Sequence, residues 1–302
     1  MQRLTTILMA AVMMLTAASA GAADKPKGQQ KAHRHTIMSC NVRITGLEAD
    51  EIDGRRWSDR KQSCLKVITS RKPDIICFQE GIYESNDFFK KELKGYESFG
   101  FDGPEMDPWT EGYHLIGKNM IFWKKSRYEL VSEGCYWLSE TPTIGGSISW
   151  DSSRARHCNW VRLRDRKTGV VFRVLDVHLD HLIREAKAEQ TKVVIQETGQ
   201  YAEGFPQILC GDFNSGRKDP PYQLLTEAGW HDAYEDIHGK EETGSTAHSW
   251  KPERLSGPKT GRRIDFVYSR GEVRTIDAAI VKDAPGGIWP SDHFFMYAVF
   301  EL

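Results

Sequence analysis

Short apolar runs alternate along this chain with segments of helical periodicity. The runs at 37–40 and 74–78 are bounded by polar residues, which is typical of strands buried on both faces. Alternating segments joined by short turns predict a hairpin that connects 160–163 to 170–178. Further strands are predicted within 119–138 and at 207–210, 264–268 and 295–301.

Helical segments separate several of these strands. Cys64, Leu65, Val67 and Ile68 fall on one side of a helix for which Ser58 is the predicted N-cap. A second helix is predicted over 183–201, and a third after Pro220 and Pro221. Hairpins combined with crossover helices predict the α/β (α+β) class, with packed sheets inside and helices outside. No linker divides the chain, so we expect a single domain over residues 36–302.

The first 35 residues have a different pattern. Arg3 is the only charged residue before Asp24, and the apolar stretch 7–15 is followed by small residues of the A-x-A type. This pattern predicts a signal peptide over residues 1–22 and a flexible lead-in over 23–35. The apolar stretch is short for a bilayer span, so we expect a secreted or periplasmic protein whose mature chain has no membrane span.

The composition is that of a globular protein, because 39% of residues are hydrophobic and 27% are charged. The 41 basic and 42 acidic residues give a formal net charge of -1. No overall basic field is available to hold a polyanion, so nucleic acid is a less favoured partner than a small phosphate ester. We expect the protein to be a monomer.

Six cysteines in an exported chain raise the question of disulfide bonds. Cys40, Cys77 and Cys210 lie in apolar runs, which is typical of free cysteines in a core. Cys135 and Cys158, in neighbouring strand segments, form the one plausible pair, and the sequence leaves their pairing open.

Polar side chains stand where the predicted strands end. Such positions converge at one edge of a layered α/β fold, where a site can be assembled. They are Asn41, Gln79, Glu80, His178, Asp212, Asn214, Asp292 and His293. Asp265 lies within a strand, and a carboxylate there is costly unless it is paired or bound to a cation.

Six segments together resemble the endonuclease/exonuclease/phosphatase superfamily, which is built like deoxyribonuclease I. They are Ser39-Cys40-Asn41, Cys77-Phe78-Gln79-Glu80, Val177-His178-Leu179, Gly211-Asp212-Phe213-Asn214, Arg263-Ile264-Asp265 and Ser291-Asp292-His293. The resemblance extends from residue 37 to the C-terminus, and the segments 137–142 and 178–181 resemble an exported bacterial branch of the family. It implies a four-layer α/β sandwich with two central mixed sheets flanked by helices.

The resemblance also implies a metal-dependent phosphoric ester hydrolase. Glu80 would be the principal Mg²⁺ ligand, with Asn41 and Asp292 close to the ion or its waters. Mn²⁺ would be a substitute for Mg²⁺. Mg²⁺ prefers oxygen ligands and keeps several waters, so one carboxylate with amide and water ligands suffices. The number of ions stays open.

Five residues receive catalytic roles by the same resemblance. Asp212 would orient or deprotonate the attacking water, and Asn214 would help to hold that water and the phosphate. His178 and His293 would face the phosphate oxygens, and Asp265 would orient His293. These residue types suit the reaction, because attack on an anionic ester requires neutralisation of charge more than covalent assistance.

Two features depart from the family pattern or extend beyond it. The expected partner of His178 is not evident, and Asn119 and Glu111 are both candidates. Arg156 is the candidate for substrate binding, because a guanidinium can grip phosphate in a bidentate manner.

The sequence favours an exported Mg²⁺-dependent phosphoesterase acting on a phosphodiester or a phosphomonoester. The alternative within the same enzyme class is a nuclease acting on DNA or RNA. A non-catalytic binding protein on the same scaffold is less favoured, because a binding protein does not need this set of acids and imidazoles.

Overall fold

The strands of this protein form two six-stranded mixed sheets. The computed structural model describes residues 34–100, 117–240, 244–255 and 263–302. The predicted signal peptide and most of the predicted lead-in lie outside these residues. The first strand begins at Arg34, so the last two residues of the predicted lead-in belong to a sheet.

The first sheet has the strand order β11-β12-β1-β2-β4-β3, and only β1 and β2 run parallel within it. Its strands are β1 (Arg34–Asn41), β2 (Ile75–Gln79), β3 (Tyr96–Phe99), β4 (Met120–Lys124), β11 (Arg274–Val281) and β12 (Phe295–Glu301).

The second sheet has the order β5-β6-β7-β8-β10-β9, and its parallel pair is β7 with β8. Its strands are β5 (Tyr128–Trp137), β6 (His157–Asp165), β7 (Val171–His178), β8 (Gln207–Asp212), β9 (His231–Asp232) and β10 (Asp265–Arg270).

Five α-helices accompany the sheets in the described part of the chain. They are α1 (Trp57–Ser70), α2 (Tyr83–Glu92), α3 (Arg184–Thr198), α4 (Pro220–Glu227) and α5 (Ala233–His238). The predicted N-cap of α1 is wrong, because that helix begins at Trp57 after Arg56 and therefore includes Ser58. None of the described helices combines the length and apolar character that crossing a bilayer requires.

The main core lies between the two sheets. Ile37 and Ile121 from the first sheet and Val174 and Ile208 from the second are fully buried in one cluster. Helices α1 and α2 cover the outer face of the first sheet, and α3 and α4 cover that of the second. The order helix, sheet, sheet, helix confirms the predicted four-layer sandwich.

The two parallel strand pairs determine where the polar strand ends meet. In the second sheet, His178 lies opposite Asp212, and Asp212 also lies opposite Asp265 on the antiparallel neighbour. Gly211 permits this close arrangement, because a Cβ at that position would lie 2.3 Å from the carbonyl oxygen of Val177. Only a glycine therefore lets β8 approach β7 directly before Asp212.

All six cysteines are free thiols. Cys135 pairs across the sheet with Asn159, whereas Cys158 pairs with Tyr136. Because successive residues of a strand point to opposite faces, the two sulfur atoms lie on opposite sides of the sheet. This geometry excludes the disulfide that the sequence left open.

A buried ion pair holds the start of β10 to β9. Arg263 Nη1 donates to Asp232 Oδ1 at 2.8 Å, and Nη2 donates to Asp232 Oδ2, with both residues buried. The same carboxylate accepts the backbone N–H of Tyr234 at the start of α5.

We expect Asp232→Ala to lower the free energy of unfolding by roughly 3–5 kcal/mol, because it leaves a buried guanidinium without its carboxylate. Urea denaturation of the two proteins measures the difference. Asp53→Ala is the matched control, since exposed Asp53 pairs with Arg56 at the surface and should contribute less than about 1 kcal/mol. Equal losses in the two variants would contradict the expectation.

Candidate active site

The polar strand ends meet in a single cleft of about 330 Å³. The cleft contains six of the residues singled out from the sequence: Glu80, Arg156, His178, Asp212, Asn214 and His293. It is completed by residues that were not singled out as site residues: Arg43, Ile44, Leu47, Gly117, Arg154 and His181.

Glu80 enters the cleft directly after β2. Its backbone is left-handed, with φ of 61°, which is an uncommon and costly conformation for a residue with a side chain. One carboxylate oxygen accepts a hydrogen bond from the Asn41 amide at 2.9 Å, and the other accepts one from the Ile44 backbone at 2.8 Å. Burial acts to raise the pKa of Glu80, but the charges of His293 and Arg43 and the Asn41 hydrogen bond outweigh it and hold this pKa below its ordinary value.

Asn41 joins the two sheets at the floor of the cleft. Its Nδ2 donates to Glu80 Oε1 and to Asp212 Oδ2, both at 2.9 Å. Its Oδ1 accepts the backbone N–H of Arg43 at 3.0 Å. Asn41 therefore orients two carboxylates, and its own carbonyl oxygen is occupied by the chain.

Asp212, at the end of β8, is the most buried carboxylate that lines the cleft. Its Oδ1 accepts the backbone N–H of Asn214 at 2.8 Å. Burial, followed by the neighbouring charge of Asp265, raises the pKa of Asp212 to about 7. An acid of this strength gains and loses its proton near neutral pH, as a general base must.

His293 is oriented by Asp265. Its Nδ1 lies 2.9 Å from Asp265 Oδ2 and 4.0 Å from Asp212 Oδ2. Although burial acts to lower it, the pKa of His293 is raised well above the ordinary value by the Asp265 carboxylate and the other acids nearby. The ring is therefore an imidazolium, with Nδ1 committed to Asp265.

His178 has a different environment. Its Nε2 lies 3.0 Å from the Asn214 amide nitrogen and 3.5 Å from Asp212 Oδ2. Burial and the charge of Arg156 lower the pKa of His178 well below its ordinary value, so the ring is neutral. Its Nε2 then accepts from Asn214.

Asn119, one of the two partners suggested for His178, makes no hydrogen bond to that ring. The Asn119 amide donates to the backbone oxygen of His157 at 3.0 Å, while Asn214 makes the contact with His178. Glu111, the other candidate, lies outside the described residues. Asn214 has a left-handed backbone, with φ of 47°, and sequence spacing gives no sign of this turn.

Asp292 lies behind the cleft and pairs with Arg43. Its Oδ2 is 3.3 Å from Arg43 Nη1, and Arg43 Nε donates to Asp50 Oδ2 at 2.7 Å. Trp250 donates to the other oxygen of Asp50 at 3.1 Å. Sequence reasoning missed Arg43 and Asp50, since Arg43 lies in the loop after β1 and Asp50 ends a single 3₁₀ turn (Glu48–Asp50) that is too short to show periodicity.

The cleft has a donor set that fits a divalent cation. Ligand atoms of Glu80, His178 and Asp212 all lie within 4.8 Å of one another. The half-buried carboxylate of Glu80 and the buried one of Asp212 supply the oxygen ligands that Mg²⁺ and Mn²⁺ prefer, and the neutral imidazole can serve as a further ligand. Within the described residues, Asp292 belongs to neither of the two groups that could hold an ion.

Asp180 and His181 follow His178 and could suggest a zinc site, but Asp180 has a structural role. Its Oδ1 accepts the backbone N–H groups of Leu182 and Ile183, at 2.8 and 2.6 Å. Its Oδ2 accepts from Ser152 and Ser153. Both oxygens are therefore engaged by the chain.

Solved structures share this fold. An endonuclease/exonuclease/phosphatase from Bacteroides vulgatus is 24% identical, with a TM-score of 0.77, over 89% of this chain and 99% of that chain. A mannosyl-6-phosphatase from Bacteroides thetaiotaomicron is also 24% identical, with a TM-score of 0.77, over 89% of this chain and 100% of its own. At these identities, the likeness establishes the fold.

A curated relative extends the comparison to sequence. The CCR4-Not complex 3'-5'-exoribonuclease subunit Ccr4 of Schizosaccharomyces pombe is 22% identical over 358 residues, which cover 95% of this chain and 51% of that protein. This chain spans about half the length of the curated relatives it matches.

Membership follows from the family profile itself. The profile of the Endonuclease/Exonuclease/phosphatase family matches residues 38–293, which include every residue of the cleft described above. This match confirms the resemblance inferred from the six sequence segments. The chain belongs to the Endonuclease/Exonuclease/phosphatase family.

Proposed function

We propose that this protein is an exported, Mg²⁺-dependent phosphoesterase that hydrolyses a phosphate ester by attack of water. The observation that carries the proposal is the convergence of Glu80, Asp212 and the His293–Asp265 pair in one cleft. A carboxylate that titrates near neutral pH lies there beside an imidazolium and a cation-binding donor set.

Glu80, with Asp212 and His178 beside it, would hold the cation. Bound there, Mg²⁺ would polarise a phosphoryl oxygen and offset the negative charge that builds up during attack. Asn41 keeps the Glu80 and Asp212 carboxylates in place by donating to both. Asp292 acts at a distance through Arg43, whose backbone N–H binds Asn41.

Asp212 is the proposed proton acceptor for the attacking water. Its two oxygens are oriented by the Asn214 backbone and the Asn41 amide. In the metal-free protein, burial and then the charge of Asp265 raise its pKa to about 7, so the carboxylate is basic enough there to take a proton near neutral pH.

His293 is the proposed donor to the phosphate. Because Asp265 holds Nδ1, the other ring nitrogen is left as the donor toward substrate. The imidazolium would stabilise the negative charge that develops on the phosphoryl or leaving-group oxygens. Asn214 and His178 contact each other and line the same cleft as His293.

A nuclease is the second candidate, and the similarity to the exoribonuclease subunit Ccr4 favours it. The net charge of -1 weighs against tight binding of a polyanion, so a small ester remains the preferred substrate class. Export by the predicted signal peptide and a monomeric state belong to the same proposal.

Hydrolysis of bis(p-nitrophenyl) phosphate and p-nitrophenyl phosphate by the mature chain tests this function directly. We expect turnover with Mg²⁺ or Mn²⁺, none with EDTA, and a loss of roughly 10²–10⁴-fold in His293→Ala. His231→Ala is the matched control, because His231 is exposed on β9 and should keep full activity. Metal-independent turnover, or full activity in His293→Ala, would refute the proposal.

Asp212→Asn should abolish turnover and yet stabilise the metal-free fold. Between about pH 4 and pH 7, the unfolded chain gives up a proton that folded Asp212 keeps, so wild-type stability falls as pH rises through this window. Above pH 7 the variant avoids this cost, and its free energy of unfolding in EDTA should be higher by roughly 2–4 kcal/mol.

Urea unfolding in EDTA at pH 8 and at pH 4 measures this effect. The difference between the two proteins should be large at pH 8 and small at pH 4. A variant less stable than wild type at pH 8 would show that the ionised Asp212 carboxylate does not destabilise the metal-free fold.

A further inference from the structure

The cleft carries a basic wall beside its acidic floor. Three residues form this basic wall. Arg154 and Arg156 lie in the segment just before β6, and His181 lies in the loop after β7. None of the three takes part in the chemical steps proposed above. The ligand group that these three residues bind therefore helps to determine which phosphate esters enter the cleft.

Arg156 is a cation without a carboxylate partner in the described part of the chain. Its Nε is buried and makes no hydrogen bond there, and its Nη2 lies 3.5 Å from His181 Nδ1. Burial lowers the pKa of Arg156 to about 10, although the more distant charges of Asp180, Asp212 and Glu80 oppose this shift, and the guanidinium stays charged at neutral pH. The side chain is half-buried, and its guanidinium lines the cleft, where a bound anion would compensate the charge.

Arg43 shows the opposite arrangement on the same cleft. Its guanidinium lies 2.7 Å from Asp50 and 3.3 Å from Asp292. Nearby carboxylates outweigh burial and raise the pKa of Arg43, so its charge is already matched within the protein. Arg156, by contrast, has no carboxylate within ion-pair distance among the described residues, so its charge is available to a ligand.

The basic wall is held rigid by Asp180. This carboxylate ties Ser152 and Ser153, just before Arg154, to the loop that carries His181. Gln190 on α3 reinforces the link, because its side chain binds both the Asp180 backbone and Ser152 Oγ. The two chain segments that carry Arg154, Arg156 and His181 are therefore joined before any substrate binds.

Phosphate monoesters and diesters differ in their charge and in the number of oxygens that can accept hydrogen bonds from the basic wall. A terminal phosphate carries close to two negative charges at neutral pH and three acceptor oxygens that are free of ester bonds. A diester carries a single charge and one such oxygen fewer. The cation site and His293 can serve two oxygens, so a guanidinium beyond them fits the third.

We propose that Arg156, supported by His181, is a specificity-determining residue that selects terminal phosphate monoesters over diesters. This inference rests on the proposed function, since it assigns the substrate class of the same cleft.

Binding of inert anions tests the selection without requiring turnover. Calorimetry with inorganic phosphate and with dimethyl phosphate, in Mg²⁺, would compare the wild-type protein with Arg156→Gln and Arg156→Lys. We expect Arg156→Gln to weaken phosphate binding by about 10–100-fold and dimethyl phosphate binding by less than about 3-fold, as the loss of a charge-assisted contact predicts. Arg156→Lys should fall between wild type and Arg156→Gln.

Arg164→Gln is the matched control, because Arg164 is exposed on the same strand and pairs only loosely with exposed Glu129. It should bind both anions as wild type does. Equal weakening of both anions in Arg156→Gln, or no weakening of either, would overturn the inference. Because these measurements do not depend on hydrolysis, they separate a failure of the inference from a failure of the proposed function.

Discussion

Two carboxylates face each other across neighbouring strands, and the rest of the site is arranged around that repulsion. The register of β8 and β10 sets Asp212 directly opposite Asp265. His293 relieves the repulsion by binding Asp265 as an imidazolium, while Asn41 and the Asn214 backbone donate to Asp212. Burial first, and the Asp265 charge second, leave Asp212 with a raised pKa, which gives this carboxylate the basicity that the chemistry needs.

Much of the fold could be predicted because buried strands have a strong sequence signal. The strands β1, β2, β7 and β8 each contain a short apolar run, and their parallel pairing brings their polar ends together. The missed elements lie where that signal is weak. Edge strand β11 has mostly half-exposed residues, and α2 has a polar composition.

The site residues that could be predicted from the sequence are those that lie beside the end of a strand. Glu80, Asp212 and His293 do so, and the cleft contains all three. The contacts that depend on loop conformation could not be predicted. Asn214 reaches His178 through a left-handed turn, and the Arg43–Asp50 pair joins a loop residue to a short 3₁₀ turn, whose proximity only the folded chain establishes.

The central claim is that these strand ends build a cation centre on Glu80 and Asp212. The most direct test is a crystal structure of the mature chain grown with Mn²⁺, with anomalous scattering used to locate the ion. We predict one or two anomalous peaks in the cleft, one of them in contact with a carboxylate oxygen of Glu80. Peaks only elsewhere, or a cleft that stays empty at saturating Mn²⁺, would contradict the account.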